Sequence, residues 1–227
     1  MIWLVTTLVV FYLARLLSKR FQHPIVNPLL ICLLVIIPLL MWLKVPYETY
    51  FEQNYWLNAL LEPAVVALAF PLYEQLSQIR EKWKTILTVC FIGSLLSMLT
   101  GAGIAFAFGA DIQLVASILP KSVTTPIAMA VSEQIGGVPA IAAIMVIIAG
   151  LFGAVLGYPL FKLAGIEHPI ARGLTMGTVS HALGTAKAAE ENYQEGAFSS
   201  LALVICGVMT AVLAPVVFPV LVAIFQA

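Results

Sequence analysis

Residues 134–161 read QIGGVPAIAAIMVIIAGLFGAVLGYPLF and contain no Asp, Glu, Lys, Arg or His. About 20 apolar residues suffice for a helix to cross the hydrocarbon core of a bilayer, so this stretch is long enough to span one. Residues 24–43, 85–110 and 196–227 are equally free of charge. None alternates with the period of two expected of a membrane barrel strand. Residues 1–14 form a further apolar run, completed by Arg15 and Leu16. Its basic residues follow it rather than precede it, so it reads as a span and not as a cleavable signal. Of the 227 residues, 62% are hydrophobic and 10% charged. Soluble domains carry roughly 25% charged residues, and so few charges cannot clothe a water-facing surface. The formal net charge of +0 leaves no electrostatic footprint for nucleic acid. The expected fold class is an all-α integral membrane protein with the lipid bilayer as its solvent.

Charge sets the orientation. Basic residues cluster at Arg15, Lys19 and Arg20 and again at Arg80, Lys82 and Lys84. The positive-inside rule puts both clusters in the cytoplasm, with two spans between them and the N-terminus outside. Residues 24–43 supply the first of these spans. Residues 58–76, kinked by Pro63 and Pro71 with Glu62 and Glu74 near the two interfaces, supply the second. The connection 44–57 carries Glu48 and Glu52 among Tyr, Phe and Trp, as suits an outer interfacial belt.

Beyond residue 110 the pattern changes. Residues 111–137 and 169–194 are polar-punctuated stretches, each followed by a long apolar run. A shift of 58 residues lays Ser122 on Ser180, Ala128 on Ala186, Ala130 on Ala188 and Glu133 on Glu191. The shared order of elements speaks for a repeat more strongly than these identities do. Each polar stretch reads as a crossing helix with a break or as a re-entrant hairpin. Hairpins keep Lys162 and Arg172 in the cytoplasm, and the two hairpin-plus-span units are then inverted relative to each other.

The first motif is Leu119-Pro-Lys-Ser-Val-Thr-Thr-Pro-Ile-Ala128. Pro120 and Pro126 bracket a segment that cannot be regular helix. Thr125 before Pro126 reads as the N-cap of a new helix over 127–135. A helix N-terminus inside a membrane protein presents unpaired N–H groups and partial positive charge to an anion, with Lys121, Ser122, Thr124 and Thr125 at hand. The plainer alternative is that these hydroxyls only satisfy the broken backbone. The second motif is Gly177-Thr-Val-Ser-His-Ala-Leu-Gly-Thr-Ala-Lys187, in which Gly184 and Thr185 are expected to break the helix and cap residues 186–193. Ser180 and His181 add polar groups, and intramembrane ionisable residues tend to line pathways. Lys187 is expected at the cytoplasmic surface with Glu190 and Glu191. Gly153 and Gly157, like Gly173 and Gly177, read as small faces for close helix packing. No nucleophile–base pair, metal-ligand cluster or phosphate loop is present in the sequence, so no enzyme, metal or cofactor is expected. Cys32, Cys90 and Cys206 match no metal or disulfide spacing.

At these residues the chain resembles the LrgB/CidB family of bacterial membrane proteins. The matching stretches are Asn27-Pro-Leu-Leu30, Pro63-Ala-Val-Val-Ala-Leu-Ala69 with Pro71-Leu-Tyr73, residues 119–130, Ser180-His-Ala-Leu-Gly-Thr-Ala186 and Glu195-Gly-Ala-Phe-Ser-Ser-Leu-Ala202. The resemblance covers nearly the whole chain. It implies a multi-pass protein of the bacterial cytoplasmic (inner) membrane and a small LrgA/CidA-type membrane partner, in a homo- or hetero-oligomer. One described role for the family is antiholin-like modulation of murein hydrolase activity and cell lysis. Related proteins are linked to transport of pyruvate, glycolate or glycerate.

The expectation is therefore about six spans and two re-entrant hairpins in an inverted repeat. Residues 1–110 form a four-span scaffold and 111–227 a transport unit. The leading function is a secondary carrier, or carrier subunit, for a small monocarboxylate, bound by Lys121, Ser122, Thr124, Thr125, Pro126, Ser180, His181, Gly184 and Thr185. The alternative is an antiholin-like regulator without a substrate. The topology has a direct test. In intact cells, cysteines placed at Lys162 and Arg172 resist an impermeant thiol reagent, and labelling from outside sinks the hairpin arrangement.

Overall fold

The computed structural model describes residues 2–21, 26–60, 63 and 69–225. Every regular element among the described residues is helical. The chain divides into two compact units, Met1–Ala69 and Phe70–Ala227.

The first unit contains α1 (Ile2–Phe21), α2 (Pro28–Trp42), α3 (Tyr47–Gln53) and α4 (Tyr55–Ala59). Asn27 starts α2: its side-chain oxygen accepts from the backbone N–H groups of Leu29 (2.9 Å) and Leu30 (3.3 Å), with Pro28 in the first turn. α1 and α2 pack through Ala14, Cys32 and Ile36. The aromatic connection is helical and returns to the start of α1. There the Trp3 backbone N–H donates to Gln53 Oε1 (3.1 Å), and the Thr7 and Tyr50 hydroxyls lie 2.9 Å apart. The expected span 58–76 falls in part on residues outside those described; α5 (Ala69–Glu74) lies within its second half.

The second unit holds α6 (Leu76–Ala107), α7 (Ile112–Ile118), α8 (Thr125–Gln134), α9 (Pro139–Leu163), α10 (Pro169–Glu191) and α11 (Tyr193–Phe225). Helices α1, α6, α9 and α11 are long and apolar enough to cross a membrane. Down α11, Val204, Val208, Val212, Val216, Val220 and Ile224 form a stripe that is more than half exposed at every position. Such a surface is stable only against hydrocarbon or a partner. The chain is a multi-pass membrane protein.

Three spans make the frame of this unit. α6 and α11 run in the same direction. Ile86 and Cys90 pack with Phe198, Ala202 and Cys206 near the helix starts, and Met98, Ala102 and Ala105 pack with Ala214, Phe218 and Leu221 further on. α9 runs the other way: Tyr158, near its end, bonds Glu195 at the start of α11.

Between the spans lie two doubled-back segments. In α10, His181 has φ 42° and ψ −135°, far from helical values. The chain reverses there. A Cβ on Gly184 would stand 2.7 Å from the Met176 carbonyl oxygen. In a straight helix, residues eight apart are separated by about 12 Å along the axis. Met176 and Ala188 also share a cluster with Phe161. The arms 169–180 and 182–191 are about 18 and 15 Å long at 1.5 Å per residue, roughly half the hydrocarbon thickness. α7 and α8 form a similar hairpin. A Cβ on Gly137 would stand 2.7 Å from the Ser117 backbone nitrogen, and the Val138 N–H donates to Ser117 Oγ (2.8 Å). The α7–α8 hairpin enters from the end where α6 finishes, and α10 enters from the end where α11 begins. Their tips point toward each other.

Two cap positions differ from the sequence reading. The N-cap of α8 is Thr124, with φ −66° and ψ 149°, and Thr125 already belongs to the helix. Pro126 sits in the first turn all the same, where its missing N–H costs nothing. In α10 the break is at His181, not at Gly184 and Thr185. Gly184 is needed because the first arm leaves no room for a side chain, and Thr185, inside the second arm, donates to the His181 carbonyl oxygen (2.8 Å).

The glycines give a stability test. At Gly153 a Cβ would stand 1.5 Å from Ser180 Oγ, whereas at Gly103 it would meet nothing within 4 Å. Gly153→Ala is expected to destabilise by about 1–3 kcal/mol through overpacking. Gly103→Ala is expected to be neutral or to stabilise by about 0.5–1 kcal/mol. Thermal unfolding in detergent measures both, and equal melting temperatures would contradict the hairpin packing.

Candidate functional site

The site begins with α9. Its Gly150, Gly153 and Gly157 remove side chains from one face, and that face receives the tip of α10. A Cβ on Gly150 would stand 2.4 Å from His181 Nε2, and one on Gly157 would stand 2.6 Å from Met176 Sδ. The His181 ring is buried and its Nε2 lies 2.8 Å from the Val146 carbonyl oxygen, in the same helix. A non-glycine residue at positive φ is strained, and this contact fixes it. Thr185 joins the second arm to α11, its hydroxyl lying 2.8 Å from Ser199 Oγ. Gly173 and Gly177 admit the backbone of α11 at Glu195 and Ser199, so the small-residue faces serve close packing as their spacing suggests.

The other hairpin reaches the same face of α9 from the opposite end. Pro120 ends the first arm because it has no N–H to continue the helix. Val123 and Ala128 then pack against Ala142 and Val146 of α9. Lys121 turns toward α6, where its ammonium donates to the Ser97 carbonyl oxygen (3.0 Å) and to Ser97 Oγ (2.9 Å). Ser97 Oγ also lies 2.7 Å from Ser122 Oγ. Gly101 makes room for the lysine: a Cβ there would stand 3.2 Å from Lys121 Nζ. An ammonium has three hydrogens, and Ser97 takes two. Among the described residues no carboxylate pairs with this charge.

Lys121, Ser122 and Ser180 line one cleft of about 530 Å³. The remainder of its wall is mostly apolar, with Phe152, Leu156, Phe161, Met176 and Val179 among its residues. Residues 122 and 180, paired by the 58-residue shift, thus line the same cleft. Thr124, Thr125, Pro126, His181, Gly184 and Thr185 do not line the cleft. They shape the two tips behind it. Lys187 lies apart, paired with Glu190 (3.9 Å) and Glu191 as its sequence context suggests.

One polar cluster was not singled out in the sequence. Glu195 is buried, accepts a hydrogen bond from the Tyr158 hydroxyl (2.5 Å) and lies 3.6 Å from the Arg172 guanidinium. The available signal was an acidic residue standing directly before the charge-free run 196–227.

With this geometry in view, the similarity to known proteins is informative. The LrgB-like family profile matches residues 7–220. The chain belongs to the LrgB-like family. An uncharacterized protein of Haemophilus influenzae is 45% identical over 96% of this chain and 95% of its own length. The uncharacterized protein YxaC of Bacillus subtilis is 41% identical over 91% and 90%. A Staphylococcus epidermidis protein named holin-like protein CidB is 36% identical over 96% and 94%. No solved structure matches the chain significantly. An LrgB-like protein with interlocked hairpins should show measurable coupling across them. A double-mutant cycle of Thr185→Val and Ser199→Ala is expected to give about 0.6 kcal/mol, typical of interhelical hydrogen bonds in membranes. Additive effects in unfolding experiments would remove that link.

Proposed function

We propose that this LrgB-like protein is a secondary carrier, or the carrier subunit of a two-protein system, for a small monocarboxylate such as pyruvate, glycolate or glycerate. The observation that carries this reading is Lys121, a cation without a carboxylate partner at the wall of a largely apolar cleft. An uncompensated charge in such surroundings is costly, and a bound carboxylate supplies the missing charge. Ser122 and Ser180 offer hydroxyls to the same ligand. Half-helices that meet near mid-membrane are a recurring transporter device, and the opposed hairpins fit an inverted repeat that exchanges access by moving one hairpin unit. The basic residues Arg80, Lys82, Lys84, Lys162 and Arg172 gather at one end of the second unit, which we assign to the cytoplasm. No catalysis is assigned.

A second reading has its own support. Relatives that match nearly the full length carry the name holin-like protein CidB, and that name speaks for a lysis-related regulator more directly than for a carrier. In that reading the protein acts with a small LrgA/CidA-type membrane partner and needs only oligomerising spans.

Reconstitution separates the two. Proteoliposomes, with and without the partner, are expected to take up labelled pyruvate or glycolate saturably, with block by the unlabelled acid. Lys121→Met and His181→Ala are expected to abolish uptake while the protein still assembles. Wild-type rates in both variants would remove this site. No uptake by a folded preparation under a proton or sodium gradient would favour the regulator.

A further inference from the structure

Glu195 is the one buried carboxylate among the described residues, and neither the cleft nor the proposed ligand contacts use it. It sits where three helices meet. Its backbone carbonyl abuts Gly173 on the first arm of α10, and its neighbour Gly196 abuts Ala189 on the second. The Tyr158 hydroxyl reaches it from α9 and the Arg172 guanidinium from the first arm. The carboxylate therefore ties the first arm of the hairpin to the start of α11 and the end of α9, while Gly196 packs on the second arm. The arm that carries Arg172 also carries Thr175, Met176, Val179 and Ser180, which form the cleft wall. Tyr158 follows Gly157, another cleft residue.

We infer that Glu195 is a proton-binding site that couples proton movement to displacement of the α10 hairpin; the coupling role rests on the carrier reading. The carboxylate takes one proton from the adjoining water and becomes a neutral acid. Arg172 keeps its charge, loses its counter-charge and turns to solvent, for which its partly exposed side chain is already placed. Tyr158 keeps its hydroxyl proton. The first arm is then no longer held to α11 by an ion pair. Charge balance gives the coupling its direction. A monocarboxylate at Lys121 adds one negative charge, and a proton at Glu195 offsets it. Substrate and proton together then add no net charge to the loaded protein, whereas either alone would.

Other ionisable groups stand nearby. Lys187 lies on the second arm, paired with Glu190 and Glu191, its ammonium 5.8 Å from the Tyr158 ring centre. Glu74 accepts from Tyr193 at the start of α11. His168 caps the first arm, its Nδ1 accepting from the Ile170 N–H. His181 lies at the hairpin tip. Of these, His168 caps the arm that carries Arg172, so it enters the test.

Two measurements decide the proposal. In proteoliposomes with pyruvate as probe, Glu195→Gln is expected to retain pyruvate counterflow and to lose accumulation driven by an inward proton gradient. Gradient-driven accumulation equal to wild type would overturn the assignment. The second measurement needs no substrate. In a chain with Cys32, Cys90 and Cys206 replaced by alanine, Ala188→Cys reports exposure of the buried face of the second arm. Its thiol labelling, relative to a cysteine at exposed Ala182, is expected to rise several-fold when the buffer is acidified. Glu195→Gln is expected to label fast in both buffers, and His168→Gln to behave as wild type. A flat wild-type response, a Glu195→Gln variant with unchanged pH dependence, or loss of the response in His168→Gln would each overturn it. If pyruvate is not taken up but the acid response depends on Glu195, the carrier reading falls and the proton site stands.

Discussion

The missing side chain at Gly153 is the constraint on which the second unit depends. A Cβ there would overlap Ser180 Oγ at 1.5 Å, so the tip of α10 reaches its depth only because this face of α9 is bare. Backbone that leaves the helix inside hydrocarbon must be covered by protein. Gly150 and Gly153 provide that cover by letting His181 and Ser180 lie directly on α9. From there the other features follow: the His181 contact with Val146, the cleft between α9 and the first arm, and the approach of the opposite hairpin to the same face. Fill the face with larger residues and the tip has no sheltered position.

What was legible in the sequence was what the solvent imposes. Apolar runs without charge announce spans because a charged side chain near mid-membrane is expensive, and α6, α9 and α11 lie where those runs lie. The breaks were legible through Pro120 and Pro126 and through the cluster of small and polar residues around His181. The hairpin reading hung on two charges, Lys162 and Arg172, and the chain does reverse within both segments. Cap positions were read one to four residues away from their true places. Thr before Pro looks like a cap in any chain, and a glycine looks like a break until its packing partner is known.

Glu195 shows why the rest was hidden. Glu190, Glu191 and Glu195 stand within six residues, and their identity alone does not say which one is buried. That depends on Tyr158 and Arg172, which arrive from two other helices. Lys121 was likewise only a neighbour of hydroxyls in the sequence. Its significance comes from Ser97 and Gly101 on α6, which hold the ammonium without neutralising it.

The shortness of the α10 arms has a consequence for biogenesis. Neither arm can reach across a bilayer, so the translocon cannot release residues 169–191 as an ordinary span. Their shelter is α9, already made, and α11, still being synthesised. The segment must therefore wait at the membrane edge until the downstream helix emerges, and the order of synthesis becomes part of the folding mechanism. A chain stopped before α11 would carry a polar hairpin with one wall missing, the kind of intermediate that membrane quality-control proteases recognise.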